Sequence, residues 1–130
     1  MTDTRMIETP LMRGLERVLD QAAFRHQMLS TNLANVDTPR YHTRDVTTFA
    51  GQIAPAMAAD GDASDSLPLM MPVAREVHGL IERPDGNNVS VERESLLLAE
   101  NQLRFEVAVA FLKAEFHRLS TAINGGGSTS

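Results

Sequence analysis

The chain has no cysteine and no tryptophan, and a single tyrosine, Tyr41, in 130 residues. Without cysteine there is no disulfide framework and no thiolate to act as nucleophile or metal ligand. A periplasmic or extracellular location is compatible with that absence but not required by it. Aromatic residues make up only 5 %, so burial has to rest on Leu, Val, Ile, Met and Ala. No run of about 18 apolar residues occurs, so no segment reads as a membrane-spanning helix. The opening residues, MTDTRMIETP, lack the apolar stretch of a Sec signal peptide, so a cleaved leader is not expected. A basic patch is missing as well. Net charge is −5, and no third of the chain carries a basic excess, so nucleic acid is not an expected partner.

Chemistry is equally sparse. The four histidines are His26, His42, His78 and His117, and no two have metal-ligand spacing. His26 falls in a helical apolar stripe, where a packed histidine is the ordinary reading. Asp60-Gly61-Asp62-Ala63-Ser64-Asp65 resembles the start of a calcium loop, but positions 6 and 12, which need Gly and Glu, hold Asp65 and Met71. A solvated acidic loop is the simpler account. Asn88-Val89-Ser90 is formally a glycosylation sequon, yet Ser90 is better explained as a helix cap. Met57, Met70 and Met71 read as filler in a loose segment rather than as an adaptable binding surface. No catalytic residue, cofactor, metal site or small-molecule substrate is expected.

What is present is helical periodicity at both ends. Thr9-Pro10 is a good helix start, with a hydroxyl at the N-cap and proline at the first helical position. From there Met12, Leu15, Leu19, Ala22, His26, Leu29, Leu33 and Val36 recur at intervals of three and four, a nearly heptad face. Pro39 lacks an N–H and biases Thr38 away from helix, and Asn35 tolerates the left-handed conformation that closes helices. The first helix is therefore expected over 10–37, with flexible residues 1–9 before it.

Residues 38–89 read as an extended and irregular middle. Tyr41–Phe49 carries β-branched and aromatic residues that favour extended chain. Ala50–Pro72, rich in Ala, Gly, Asp, Ser and Pro, has no sustained period and is expected to be a mobile insert. Val73–Ile81 is a candidate strand, and a short β-hairpin with Tyr41–Phe49 is expected. Pro84–Asn88 is a turn cluster.

The last helix is expected over 90–124, capped by Ser90 with Glu92 and Glu94 in its first turn, and followed by a flexible tail at 125–130. Its first apolar line is Val91, Ser95, Leu98, Gln102, Phe105, Val109, Leu112, Phe116, Leu119 and Ile123. A second line, Leu96, Ala99, Leu103, Val107, Ala110 and Ala114, lies nearly opposite at 100° per residue. The expected fold is all-α, with the two long helices packed as an antiparallel coiled-coil-like pair. That pairing covers one face of the second helix. The other face needs further subunits, since a thin core without disulfides is marginal alone.

Two stretches carry a resemblance. Ser30-Thr31-Asn32-Leu33-Ala34-Asn35-Val36-Asp37-Thr38-Pro39-Arg40-Tyr41 resembles the N-terminal signature of bacterial flagellar rod and hook proteins, a helix ending in Asn-apolar-Ala-Asn followed by Thr-Pro-Gly-Tyr. Its signature positions here are Ser30, Asn32, Leu33, Ala34, Asn35, Thr38, Pro39 and Tyr41. Arg40 stands where the family has Gly, which disfavours a type II turn there. Asp85-Gly86-Asn87-Asn88-Val89-Ser90-Val91-Glu92-Arg93-Glu94, followed by Ala99-Glu100-Asn101, resembles the start of the C-terminal helix of the proximal rod members of that family. Short length and the lack of a folded domain between the helices also fit those members.

The resemblance implies a structural subunit of the flagellar basal body without catalytic activity. It implies a place in the periplasmic rod and terminal helices that pack with neighbours around a central channel. Implied partners are further copies of the chain, other rod proteins, the basal-body ring with its adaptor protein, and the flagellar type III export apparatus. Tyr41–Phe49 is expected to lie against an adjacent subunit. The alternative is a free helical adaptor or regulatory protein that binds one partner through the C-terminal helix.

Overall fold

The computed structural model describes residues 9–46 and 72–125. The expected flexible residues 1–8 and 126–130, Phe49 and nearly all of the 50–72 insert lie outside the described residues. The fold is all-α in its main mass: two long helices that pack together, with a small two-stranded antiparallel sheet between them in sequence. α1 is Pro10–Ala34, β1 Arg44–Val46, β2 Ala74–Glu76 and α2 Val91–Gly125. At about 1.5 Å per residue, α1 is about 38 Å long and α2 about 52 Å.

Local chemistry fixes the helix ends. The Thr9 hydroxyl accepts the Met12 amide at 3.2 Å, and the Ser90 hydroxyl accepts the Arg93 amide at 3.3 Å, each an N-cap bond. Glu92 and Glu94 sit in the first turn of α2, where the helix dipole favours carboxylates. α1 gives way to turn residues at 35–37. Asn35 does not close it in the left-handed region, because Arg40, at φ +62°, is the one non-glycine residue with positive φ among those described. Asn35 acts through its side chain, donating from Nδ2 to the Thr31 carbonyl and accepting from the Thr38 hydroxyl.

The structure divides into two compact units, one of 1–23 with 99–130 and one of 24–98. In the first, α1 and α2 run antiparallel. Thr9 meets Glu115 at one end, and Asn101 donates to the Ala22 carbonyl towards the other. Met12, Ala22 and Ala108 are buried there. The buried line of α2 in this unit is Asn101, Ala108 and Glu115, seven residues apart. Of the first apolar line, Leu98, Phe105 and Leu112 lie three or four residues from this seam, about 40 to 60° around the helix, and Val109 and Phe116 lie one residue beyond it, about 100° around. Leu98, Val109 and Leu112 are half-buried along its edge, while Phe105 and Phe116 are exposed. The reason is chemical: Asn101 and Glu115 find hydrogen-bond partners on the seam, and polar residues with partners can be buried where an apolar count would never put them.

In the second unit, Leu29, Val46 and Val89 form a small apolar centre. β1 and β2 pair antiparallel with Arg44 opposite Glu76, Asp45 opposite Arg75 and Val46 opposite Ala74. The Val77 amide donates to the Thr43 carbonyl and extends the ladder by one bond. The sheet is thus the expected hairpin-like pair, three residues to a strand.

Candidate functional site

The second unit is held by polar groups more than by apolar ones. Asn32, Thr43, Asn87, Asn88 and Glu94 are all buried. No buried side-chain nitrogen or oxygen among the described residues lacks a partner. Buried polar groups are costly unless satisfied, so a complete network of this kind specifies one arrangement.

Asn32 is its hub. The backbone N–H and carbonyl of Arg44 face away from β2, because the ladder bond from Val77 goes to Thr43 and antiparallel bonds alternate sides. The Asn32 amide fills that outer edge. Its Oδ1 accepts the Arg44 N–H at 3.1 Å and its Nδ2 donates to the Arg44 carbonyl at 2.7 Å. One side chain therefore pairs with β1 as a third strand would. The remaining capacity is also used: Nδ2 donates to Glu94 Oε2 at 2.9 Å, and Oδ1 accepts the Tyr41 hydroxyl at 2.9 Å. The fully buried Glu94 is further met by the Arg93 guanidinium at 2.8 Å. Burial is the main influence on the Tyr41 hydroxyl and raises its pKa, with Arg44 opposing and Glu94 adding to the rise.

Asn87 does the same for the end of α1. Its Nδ2 donates to the carbonyls of Asn35 and Thr38, both at 2.8 Å, while its Oδ1 accepts the Val89 amide. The Arg83 guanidinium donates to the Val36 carbonyl. These carbonyls belong to the turn that follows α1, and the bonds fix that turn against the stretch before α2. Asn88 ties the strand segment: its Oδ1 accepts the Thr43 amide, its own amide donates to the Tyr41 carbonyl, and its carbonyl accepts the Thr43 hydroxyl.

Around Arg40 the structure again departs from expectation. The Tyr41 amide bonds the Thr38 carbonyl, closing a turn with Pro39 and Arg40 at its centre. Arg40 takes the positive φ that glycine would take more easily. Its amide donates to the Asp85 carbonyl, which holds it there. Gly86, at φ +83°, faces it so closely that a Cβ would lie 3.3 Å from the Arg40 Cα.

The two stretches singled out in the sequence are thus one structure. Asn32, Asn35, Thr38 and Tyr41 from the first interlock with Asp85, Asn87, Asn88 and Glu94 from the second. Pro39 shapes the turn, Leu33 is half-buried, and Ser30 and Ala34 are exposed. Of the segment Tyr41–Phe49, expected to lie against an adjacent subunit, residues 41–46 are tied into their own unit: Tyr41 bonds Asn32, and Thr43 and Val46 are buried. Arg25 and Asp45 add a bidentate ion pair at 2.9 and 2.8 Å. Burial pushes the Asp45 carboxyl up, but the Arg25 hydrogen bonds, the Val46 amide and the charges of Arg25 and Arg93 together bring it below its ordinary value.

The second apolar line of α2 is not covered. Leu96 is exposed in its unit, Leu103 and Val107 are 61 and 46 % exposed in theirs, and Phe111, one turn on from Val107 and outside that line, is 59 % exposed. No group of three or more His, Asp or Glu among the described residues could hold a metal ion. No described helix is long and apolar enough to cross a membrane.

No protein-family model matches the chain. A flagellar basal body rod protein FlgB from Cereibacter sphaeroides is 32 % identical over 115 residues, covering 78 % of this chain and 84 % of the relative. The FlgB proteins of Escherichia coli K12 and Bacillus subtilis 168 are 27 and 25 % identical, each covering 88 % of this chain and 94 % of the relative. The chain belongs to the FlgB family.

Proposed function

We propose that the chain is a structural subunit of the proximal rod of the bacterial flagellar basal body, assembling through its terminal helices into the tube that transmits torque. Family membership supports the basal-body rod as its place. The observation that carries the assembly reading is the exposed line Leu103, Val107 and Phe111 on α2. An apolar face outside a helix's own pairing gains free energy only when something covers it. Neighbouring rod subunits, copies of this chain among them, are the natural cover, and head-to-tail contacts that do not close give an open helical tube. The signature residues Asn32, Asn35, Thr38, Pro39 and Tyr41 shape the subunit, and Leu96, Leu98, Phe105, Val109, Leu112 and Phe116 complete the helix faces. The ring with its adaptor protein and the flagellar type III export apparatus are the other partners, and the periplasmic rod is the location.

Electron microscopy of basal bodies from a strain lacking this chain tests the reading. Rings without a rod, restored to full rods by the intact gene, are expected. Complete rods in the deletion strain would contradict a structural role and favour an adaptor.

A further inference from the structure

One cluster plays no part in the clasp. His42 leaves the turn after α1, and its ring lies between two carboxylates from different segments. Nδ1 is 2.5 Å from Glu76 Oε1 in β2, and Nε2 is 3.6 Å from Glu82 Oε1 in the stretch before the Pro84–Gly86 turn. A neutral imidazole has one N–H and one lone pair, so it can satisfy only one of two carboxylates and turns its lone pair towards the other. Only the imidazolium offers a donor to each. The ring is 40 % exposed, so the proton exchanges freely with solvent.

The other charges nearby are engaged elsewhere. Arg44, opposite Glu76 in the ladder, reaches the Ala74 carbonyl. Arg75 alternates to the other side of β2 from Glu76, across from Asp45. Arg83 lies against the Val36 carbonyl and Asp85. The Arg40 stem lies beside Gly86. His78 follows Glu76 by two residues, and the register carried on past Thr43 and Val77 sets it across from His42. Glu76 and Glu82 are the groups that contact the ring.

We propose that His42 is a proton-operated fastener that ties β2 and the stretch after it to the strand leaving α1, holding them when protonated and loosening them when neutral. Glu76 lies in β2 and Glu82 in the stretch that follows, so one ring bridges both to the start of β1. The hydrogen bond to Glu76 is the main influence on the ring and raises its pKa above 6.5, desolvation is the next largest and opposes it, and the Glu76 charge and Glu82 add to the rise. The sign follows. A base whose pKa is higher folded than unfolded contributes its full stabilisation below the unfolded value and loses it as pH rises through the folded one. The fastening is complete in mildly acidic medium and fades on the alkaline side of 6.5.

The test uses the full chain. Proton NMR follows the His42 ring through a pH titration in the wild type and in Glu76→Gln, Glu82→Gln and His42→Gln. Amide exchange, corrected for intrinsic rates, follows the Val77 N–H that bonds Thr43. The expected wild-type midpoint lies above 6.5 and falls in each glutamine variant at 76 and 82. Val77 protection is expected to drop across that midpoint in the wild type and to be independent of pH in His42→Gln. A midpoint at or below 6.5, one indifferent to Glu82→Gln, or a Val77 profile unchanged in His42→Gln would overturn the proposal. The groups are exposed, so the variants are expected to fold, and the Glu76 and Glu82 variants test the same fastener from two sides.

Discussion

Asn32 shows how much one side chain can organise. Its amide occupies the outer edge of β1, reaches Glu94 on α2 and takes the Tyr41 hydroxyl, so its loss leaves buried donors and acceptors without partners. Asn32→Leu is expected to destabilise the chain by about 3 kcal/mol in urea unfolding, the cost of several orphaned groups. Tyr41→Phe removes one bond and is expected to cost about 1 kcal/mol by the same measurement. Arg40 gives the opposite sign. It holds φ +62°, a region that costs a side-chain-bearing residue about 1 kcal/mol. Arg40→Gly is expected to raise the thermal midpoint, less the entropy glycine returns to the unfolded chain. Gly86→Ala is expected to lower it, because a Cβ there meets the Arg40 backbone at 3.3 Å. Hydrophobic period could not disclose any of this. Asn32 looks like an ordinary polar helix residue until the strand it borders is in place. The signature resemblance marked Asn32, Asn35 and Tyr41 but not the partners they have.

At the scale of elements, helix starts and the short hairpin were legible because local chemistry decides them. Thr9 and Ser90 cap as hydroxyls do, and a proline after Thr38 forces a break. The inner face of α2 was not legible. Asn101 and Glu115 are buried because Ala22, Thr9 and Arg118 supply partners, which only the packed structure reveals. The same holds for the pairing of two signature stretches about fifty residues apart, since no local pattern records a contact at that separation. The Arg25–Asp45 pair is the element-scale link most sensitive to acid. A carboxyl whose pKa is lower folded than unfolded stabilises fully above its unfolded value of 3.8 and loses that contribution as pH falls through the folded one. Circular dichroism at acid pH is expected to show wild type losing stability in that window. Asp45→Asn should be less stable at neutral pH and flatter below pH 4.

For the whole molecule, the central matter is why α2 exposes Leu103, Val107 and Phe111 while its buried seam holds Asn101 and Glu115. A chain that folded only for itself would place those side chains the other way round. The polar seam satisfies the subunit, and in the proposed function the apolar line is the face that neighbours cover. The direct test is a double variant, Val107→Glu with Phe111→Glu, read in two ways. Both side chains are exposed, so the stability of the isolated chain is expected to change by less than about 0.5 kcal/mol. In a strain carrying only this variant, electron microscopy is expected to show basal-body rings without a rod. Complete rods built from a stably folded variant would contradict the account.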